Sequence, residues 1–415
     1  MSQLAIDGGT PVRTRPLPTV GDISGRGFGE DEIANLTDVI KTGRLFRHGG
    51  KYVQQFEKGF AQKLGVKHGI ACTSGTAAIH IALGAINPDC GREIITAPIT
   101  DMGTVAPILF QNCIPVFADL DPVFYTMLPE SIESKINEKT AAILVVHLFG
   151  QPCDMDPILA IARKHNLPVI EDCCQAYLTQ YKGRLSGTMG DIAAFSLQQS
   201  KHMTAGDGGI VVTNDDSLAE RASLFSDKGW PRTGDIRDYV FLGLNYRMNE
   251  LTGAVAVAQM GKVESVVERR RAAADMLTRL LADAPGVIPP RVREGCKHSW
   301  WLYPLTIDEN VVPVSPVDFA RALAAEGIGA GHGYIGKPIY MSPALQEPAT
   351  YGSSKCPYSC PRYGKELTYR PDDCPNTLEI LRKMITIPCN EFFTEEDVRD
   401  IAAAVIKVAK AYARA

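Results

Sequence analysis

The sequence has 415 residues, of which 45% are hydrophobic and 22% are charged, and its formal net charge is −4. This length is too great for one small core and suits a large domain joined to a smaller one, and the composition is typical of a globular protein. The charge balance provides no basic surface for nucleic acid or for an acidic lipid surface. We therefore expect no nucleic-acid partner and no membrane partner.

The N-terminus and the cysteines indicate the compartment. The opening residues, MSQLAIDGGTPVRTRPLP, lack the apolar core of a signal peptide, and no apolar run reaches the about 20 residues that span a bilayer. The eleven cysteines are scattered, unlike a disulfide framework. Cys356, Cys360 and Cys374 share a loop rich in Pro and Gly, but their spacing is no known ligand pattern. We expect a cytoplasmic protein with packed thiols and no metal.

From about residue 66 the chain alternates short apolar runs with helical patterns. Strands are predicted at HGIACTS, EIITAP, IPVFADL, AAILVVHLF and PVIEDCC. Helices are predicted at TAAIHIALGAI, near Thr104, at PESIESKI and at DPILAIARKHN. Apolar strands that are separated by helices indicate an α/β fold with a mainly parallel sheet between layers of helices.

The pattern becomes mainly helical after two further strands, DIAAFSL and GGIVVTND. A long helix beginning at ELTGAV has a possible break at Gly261, and it is followed by a strand, SWWLYPLTI, and a helix, VDFARALAAEG. A Cys-, Pro- and Gly-rich loop at 345–375 precedes a final helix, for which Thr394 is the predicted N-cap. We predict an N-terminal arm at 1–28, a large domain at 29–265 and a smaller α+β domain at 266–415.

Polar motifs follow several of the predicted strands, and ligands bind at the carboxyl ends of parallel strands. CTSGTAA places Gly75 and Thr76 between a strand and a helix, where they form either a plain helix start or an anion site. VIEDCCQAY ends a strand near Asp172. A carboxylate there is costly unless paired, so it is either a cap or structural ion pair, or the partner of a cationic ligand atom.

Two more motifs follow along the chain. FSLQQSKHMTAGDGG brings Ser196 and Lys201 to a glycine-rich turn. Lysine is most often a solvated charge, but it becomes a nucleophile when desolvation or nearby positive charge lowers its pKa. GLNYRMNE places Asn245 before a long helix and alone indicates only a helix start. Together, an anion-binding turn, a carboxylate and a lysine are what pyridoxal 5′-phosphate (PLP) needs for its phosphate, its ring nitrogen and its aldehyde.

The motifs SGT, VHLFG, EDCCQAY, FSLQQSKHMTAGDGG and GLNYRMNE also resemble, in order and spacing, those of the DegT–StrS group of sugar aminotransferases, over the chain from about residue 30. These are fold-type I PLP-dependent transferases of amino-sugar and aminocyclitol biosynthesis, and the opening LAIDGGTPVR resembles their antibiotic-pathway branch. The resemblance implies ping-pong transfer of an amino group from glutamate or glutamine to a nucleotide-linked keto sugar or a keto-cyclitol. It also implies a homodimer with shared active sites.

The resemblance implies roles for individual residues. Lys201 would form the Schiff base with PLP and shuttle the proton, Asp172 would pair with the pyridinium nitrogen, and Gln175 would lie beside the ring. The phosphate contacts would be Gly75, Thr76, Ser196 and, from the neighbouring subunit, Asn245. Four residues are candidates either for substrate contact or for packed polar side chains: His147, Tyr177, His332 and Tyr334.

Three stretches depart from the family pattern. APITDMGT has Thr100, Asp101 and Met102 where the family has an aromatic residue that stacks on the ring, so the ring contact is left open. AYL at residues 176–178 replaces Ala-His-Gly, and Gly-Asp-Gly-Gly replaces Gly-Glu-Gly-Gly. Lys201 is retained, which favours transamination over the family's dehydratases, in which a histidine replaces it. A PLP-fold regulator without catalysis is the remaining alternative.

Overall fold

The computed structural model describes residues 3–233, 237–347 and 350–414. None of the helices in these residues is both long enough and apolar enough to cross a bilayer. The α-helices are α1 (Glu30–Thr42), α2 (Tyr52–Leu64), α3 (Gly75–Ile86), α4 (Met102–Phe110), α5 (Pro129–Lys135), α6 (Met155–His165), α7 (Asp216–Ser226), α8 (Glu250–Met260), α9 (Val263–Leu280), α10 (Pro316–Ala325), α11 (Pro343–Gln346), α12 (Pro375–Lys383) and α13 (Glu395–Tyr412). Short 3-10 turns lie at Ala5–Asp7, Ile23–Gly25, Leu148–Gly150, Ile339–Met341 and Pro371–Asp373.

The strands form three sheets. They are β1 (His68–Cys72), β2 (Glu93–Thr96), β3 (Ile114–Phe117), β4 (Thr140–Val146), β5 (Val169–Asp172), β6 (Gln180–Tyr181), β7 (Arg184–Leu185), β8 (Ile192–Ser196), β9 (Gly209–Thr213), β10 (Val287–Ile288), β11 (Cys296–Lys297), β12 (Leu302–Ile307), β13 (Gly331–His332) and β14 (Met384–Pro388). The small third sheet has the order β11-β6-β7.

The main sheet has seven strands in the order β1-β9-β8-β5-β4-β2-β3. From β8 to β3 each neighbouring pair is parallel, whereas β9 is antiparallel to both β1 and β8. A parallel crossover needs an intervening element, usually a helix, but β8 returns directly into β9 through a loop closed by the Ser196–Gly209 pair. Lys201 lies in that loop. The predicted α/β class with a mainly parallel sheet is confirmed.

The strands of this sheet are buried on both faces. Ala194 and Val211 pack into the cluster that contains α3, while Phe195 and Ile210 pack with Phe60 of α2 on the other face. Successive side chains of a strand point to opposite faces, so a strand covered by helices on both sides is apolar at every position. This is why these strands appear in the sequence as continuous apolar runs.

The second sheet has the order β10-β12-β14-β13 and is antiparallel throughout. It shares a buried cluster with α9, α10 and α13, and Leu4 of the N-terminal arm belongs to the same cluster. The helix α9 crosses the predicted boundary at residue 265, and the domain limits stay a prediction.

The N-terminal arm is tied to this second core by buried charges. Ala5 and Val12 donate backbone N–H groups to the carboxylate of Glu326, at 2.9 and 3.0 Å. Arg13 forms ion pairs with Asp397 and Asp400, each at 2.7 Å. Buried ion pairs of this kind fix geometry, because removing one partner leaves an uncompensated charge. The arm is therefore an integral part of the C-terminal half.

Candidate active site

A cavity of about 420 Å³ opens at the carboxyl ends of β5 and β8, beside the N-terminus of α3. Its position follows from the sheet, since loops at the carboxyl ends of parallel strands enclose the usual ligand site of such folds. It brings together seven of the residues predicted from sequence: Gly75, Thr76, Asp172, Gln175, Ser196, Lys201 and Tyr334.

Lys201 presents its amine to this cavity beneath an indole ring. Its Nζ lies 3.9 Å from the ring centroid of Trp301. Burial lowers the pKa of Lys201, and the charges of Asp172 and Asp101 oppose that shift. A lysine with a lowered pKa carries more neutral amine at neutral pH, which is the form that acts as a nucleophile or as a base.

Asp172 is held at the end of β5 by two hydrogen bonds. Its Oδ2 accepts from Thr104 Oγ1 at 2.7 Å, and its Oδ1 accepts from the backbone N–H of Cys174 at 3.0 Å. The Thr104 hydroxyl donates its proton to the carboxylate, so it accepts from Thr100 Oγ1, 2.6 Å away. The carboxylate is only 5% exposed and keeps a fixed orientation toward the cavity.

The start of α3 forms a cradle for an anion. The first N–H groups of a helix have no intrahelical partners. In α3, Ser74 satisfies one of them by accepting from the backbone N–H of Ala77, and the N–H groups before it remain available to a ligand. A Cβ at Gly75 would lie 2.6 Å from the Cβ of Ser196, so only glycine permits this approach of α3 to β8. Backbone N–H groups, the helix dipole and the hydroxyls of Thr76 and Ser196 suit a phosphate.

Tyr334 enters the cavity from the C-terminal half of the chain. Its hydroxyl accepts from Gln175 Nε2 at 3.2 Å, and its ring packs edge-on against Trp301 and Phe149. Gln175 is fixed in turn because its Oε1 accepts from the backbone N–H of Phe149 at 2.7 Å. Burial and the charge of Asp101 raise the pKa of Tyr334, which therefore remains a phenol at neutral pH.

Three of the predicted substrate residues do not border the cavity. His147 is fully buried, where its Nδ1 accepts from the backbone N–H of Cys153 and its Nε2 lies 2.9 Å from Glu171. Tyr177 is also buried and donates to the carbonyl of Ser196 at 2.8 Å. His332 is exposed in β13. For His147 and Tyr177 the structure favours the alternative of a packed polar side chain.

Asn245 and Asp101 occupy different places relative to the cavity. Asn245 is exposed, pairs with Asp227 in an isolated bridge and does not border its own chain's cavity, so its contact with a neighbouring subunit stays a prediction. Asp101 borders the cavity and caps α4, where its Oδ1 accepts from the backbone N–H of Gly103 at 2.7 Å. The residue at the expected stacking position is thus a helix cap.

Two residues of the site were not predicted from sequence. Thr104 is the third residue of α4, and the polar residues of APITDMGT were the only signal for it. Trp301 reaches Lys201 from the strand segment SWWLYPLTI, and the sequence shows nothing that links it to this lysine. Such partners come from the tertiary fold and not from a local motif.

The donor set of the cavity suits PLP. The α3 cradle would hold the phosphate, Asp172 would face the protonated ring nitrogen, and the Lys201 amine would meet the aldehyde. Two observations support this fit: the close approach of α3 to Ser196 that the missing side chain of Gly75 permits, and the fixed orientation of the Asp172 carboxylate.

Comparison with known proteins agrees with this site. Residues 27–406 match the model of the DegT/DnrJ/EryC1/StrS aminotransferase family. The chain belongs to this family. The family assignment makes it an aminotransferase, and the resemblance seen in the motifs is confirmed.

Relatives within the family carry more specific names. The chain is 32% identical to the L-glutamine:2-deoxy-scyllo-inosose aminotransferase of Streptoalloteichus tenebrarius, over 98% of this chain and 97% of that protein. It is 38% identical to the GDP-perosamine synthase of Caulobacter vibrioides, over 63% of this chain and 71% of that protein. The solved structure of an aminotransferase from Psychrobacter cryohalolentis aligns with a TM-score of 0.83 at 27% identity, over 94% of this chain and 98% of that one.

Proposed function

We propose that this protein is a PLP-dependent aminotransferase that moves an amino group from glutamate or glutamine to the ketone of a nucleotide-linked keto sugar or a keto-cyclitol. The observation that carries the proposal is the meeting of Lys201, Asp172 and the α3 N-terminus in one cavity. The relatives named above act in one case on a cyclitol and in the other form a nucleotide-linked amino sugar, which supports both acceptor classes.

Each residue of the cavity has a role in this reaction. When bound, PLP supplies an electron sink for the charge left on carbon as a proton departs. Asp172 favours the protonated ring nitrogen by charge pairing, and Thr76 and Ser196 hold the phosphate at α3. The Lys201 amine takes the proton from the α-carbon of the donor and later returns one to the carbon that receives nitrogen. Both half-reactions use the same amine and the same cavity. In the proposed ping-pong order, the donor's oxo acid therefore leaves before the ketone enters.

The proposal includes a homodimer in which Asn245 reaches the phosphate of the neighbouring subunit's cofactor. Asn245 lies outside its own cavity and follows two exposed leucines, Leu242 and Leu244, of which the first is 90% exposed. An apolar, solvent-exposed loop that carries a polar side chain suits a subunit contact. The dimer is tested by measuring the molecular size in solution of the parent protein and of a Leu242→Asp variant.

Absorption spectroscopy tests the reaction. The purified protein with PLP should lose its cofactor band when glutamate or glutamine is added and regain it with a suitable keto sugar or keto-cyclitol. Lys201→Ala should abolish turnover, whereas Lys67→Ala, at an exposed lysine, should leave it unchanged. Full turnover in Lys201→Ala contradicts the proposal, and loss of a hydroxyl from the sugar without use of the donor identifies a dehydratase instead.

A further inference from the structure

The backbone of the loop that carries Lys201 is held by side chains from two distant parts of the chain. Arg26 Nη2 donates to the carbonyl of Gln199, and Arg26 Nη1 donates to the carbonyl of Lys201 at 2.9 Å. Between them, Trp301 Nε1 donates to the carbonyl of Ser200 at 3.0 Å. Three consecutive carbonyls therefore have fixed donors. Hydrogen bonds from a guanidinium are among the stronger ones because the donor is charged.

Arg26 is itself fixed from the side away from Lys201. It is 3% exposed, its Nε donates to the carbonyl of Val20, and its Nη1 lies 3.8 Å from Glu391. Glu391 also pairs with Arg270 at 2.7 Å. Burial lowers the pKa of Arg26 to about 10, Glu391 opposes that shift and Arg270 adds to it. Arg26 therefore remains charged at neutral pH.

A second contact joins the same two segments. Gln199 Nε2 donates to the carbonyl of Val20 at 2.8 Å, so Val20 accepts from both Arg26 and Gln199. A shift of the arm relative to the loop would break these bonds together. The Lys201 amine would then move relative to the indole ring and relative to Asp172.

We propose that Arg26 is a positioning residue for Lys201: it holds the lysine loop through the carbonyls of residues 199 and 201, and so keeps the amine beneath the Trp301 ring. This inference rests on the proposed function, which gives the Lys201 amine its chemical role. Arg26 touches neither the cavity nor the reacting atoms, and its effect passes through the backbone.

Competitive acetylation of the full-length, cofactor-free protein, read by mass spectrometry, gives the pKa of the Lys201 amine directly. Arg26→Lys keeps the charge but loses the planar fork that spans two carbonyls. We expect the Lys201 pKa to rise toward that of an ordinary lysine, because the loosened amine gains water. Arg13→Lys is the matched control, since Arg13 is equally buried in the same arm but contacts no residue of the loop.

Kinetics of the PLP-loaded enzyme provide the second measurement. Arg26→Lys should lower kcat about tenfold, as expected for the loss of one charged hydrogen bond, with little change in KM for the donor. An unchanged Lys201 titration in folded Arg26→Lys overturns the proposal, and so does an equal shift in Arg13→Lys.

A second variant covers the case in which Arg26→Lys does not fold. Gln199→Ala removes only the bond to Val20 and should shift the Lys201 titration in the same direction by a smaller amount. No shift in Gln199→Ala, measured after Arg26→Lys has failed to fold, also overturns the proposal. Because acetylation is measured without PLP, its outcome is independent of the donor-induced spectral change that tests the proposed function.

Discussion

Thr104→Val tests whether the orientation of Asp172 matters for the reaction. Valine keeps the shape of threonine but removes the hydroxyl that donates to Asp172 Oδ2 at 2.7 Å, in a place where both residues are at most 5% exposed. A buried hydrogen bond to a charged group contributes about 1.5–3 kcal/mol, which corresponds to a loss of about 10- to 100-fold in kcat/KM. Among the described residues, the backbone N–H of Cys174 is then the one donor that the carboxylate retains.

Steady-state kinetics with saturating PLP measure this effect, and denaturant unfolding of the same variant shows whether the fold is retained. Thr100→Val is the control, because it removes only the outer hydroxyl of the chain that leads to Asp172. Thr100→Val should lower kcat/KM less than Thr104→Val does. A kcat/KM of Thr104→Val within twofold of the parent, or equal losses in both variants, would refute the reasoning.

Three further changes test other parts of the structure. Glu250→Gln should lower the free energy of unfolding by about 2–4 kcal/mol, because an amide nitrogen cannot accept from the backbone N–H groups at the start of α2. The control is Glu264→Gln, in an exposed ion pair, which should change the free energy of unfolding by less than about 0.5 kcal/mol. Equal losses in the two variants would contradict the stabilising role of Glu250. Burial raises the pKa of Asp227, but neighbouring arginine and histidine side chains lower it to about 2. The pKa of an unfolded Asp is about 3.9, so the ionised Asp227 stabilises the fold above that pH, and this stabilisation is lost as the pH falls toward 2. Between about pH 5 and about pH 3, urea titrations should therefore show a smaller loss of unfolding free energy in Asp227→Asn than in the parent. Gly75→Ala should weaken PLP binding in a fluorescence titration, because its Cβ would meet Ser196; unchanged affinity would show that α3 can move away.

The sequence alone predicted most of the main sheet and its strand ends. Continuous apolar runs located the parallel strands, and the break at Gly261 and the cap at Thr394 are confirmed, the latter by a hydrogen bond of 3.2 Å from the backbone N–H of Asp397. The reversed direction of β9 was not predicted, because an apolar run carries no information about direction. The strand β14 was missed because MITIP is short and directly follows α12.

Within the site, local motifs predicted the residues that follow strands but not those that come from distant parts of the sequence. Asp172 faces the cavity, while its neighbour Glu171 points to the opposite face and bonds to His147, as the alternation of a strand requires. The side chain of His147 thus lies with Glu171 and does not border the cavity. Trp301 and Arg26 contact the loop of Lys201 across 101 and 175 residues of sequence, distances that no local motif spans.

The arm that holds the lysine loop also has consequences for the order in which the chain folds. Arg13 pairs with Asp400 across 387 residues of sequence, and Leu4 lies in a core that includes α13. Residues of the arm thus have their partners in α13, far along the sequence. Contacts of such long range form late and slow the folding of a chain. We therefore expect the loop that carries Lys201 to reach its final geometry late in folding, after the arm and α13 have packed together.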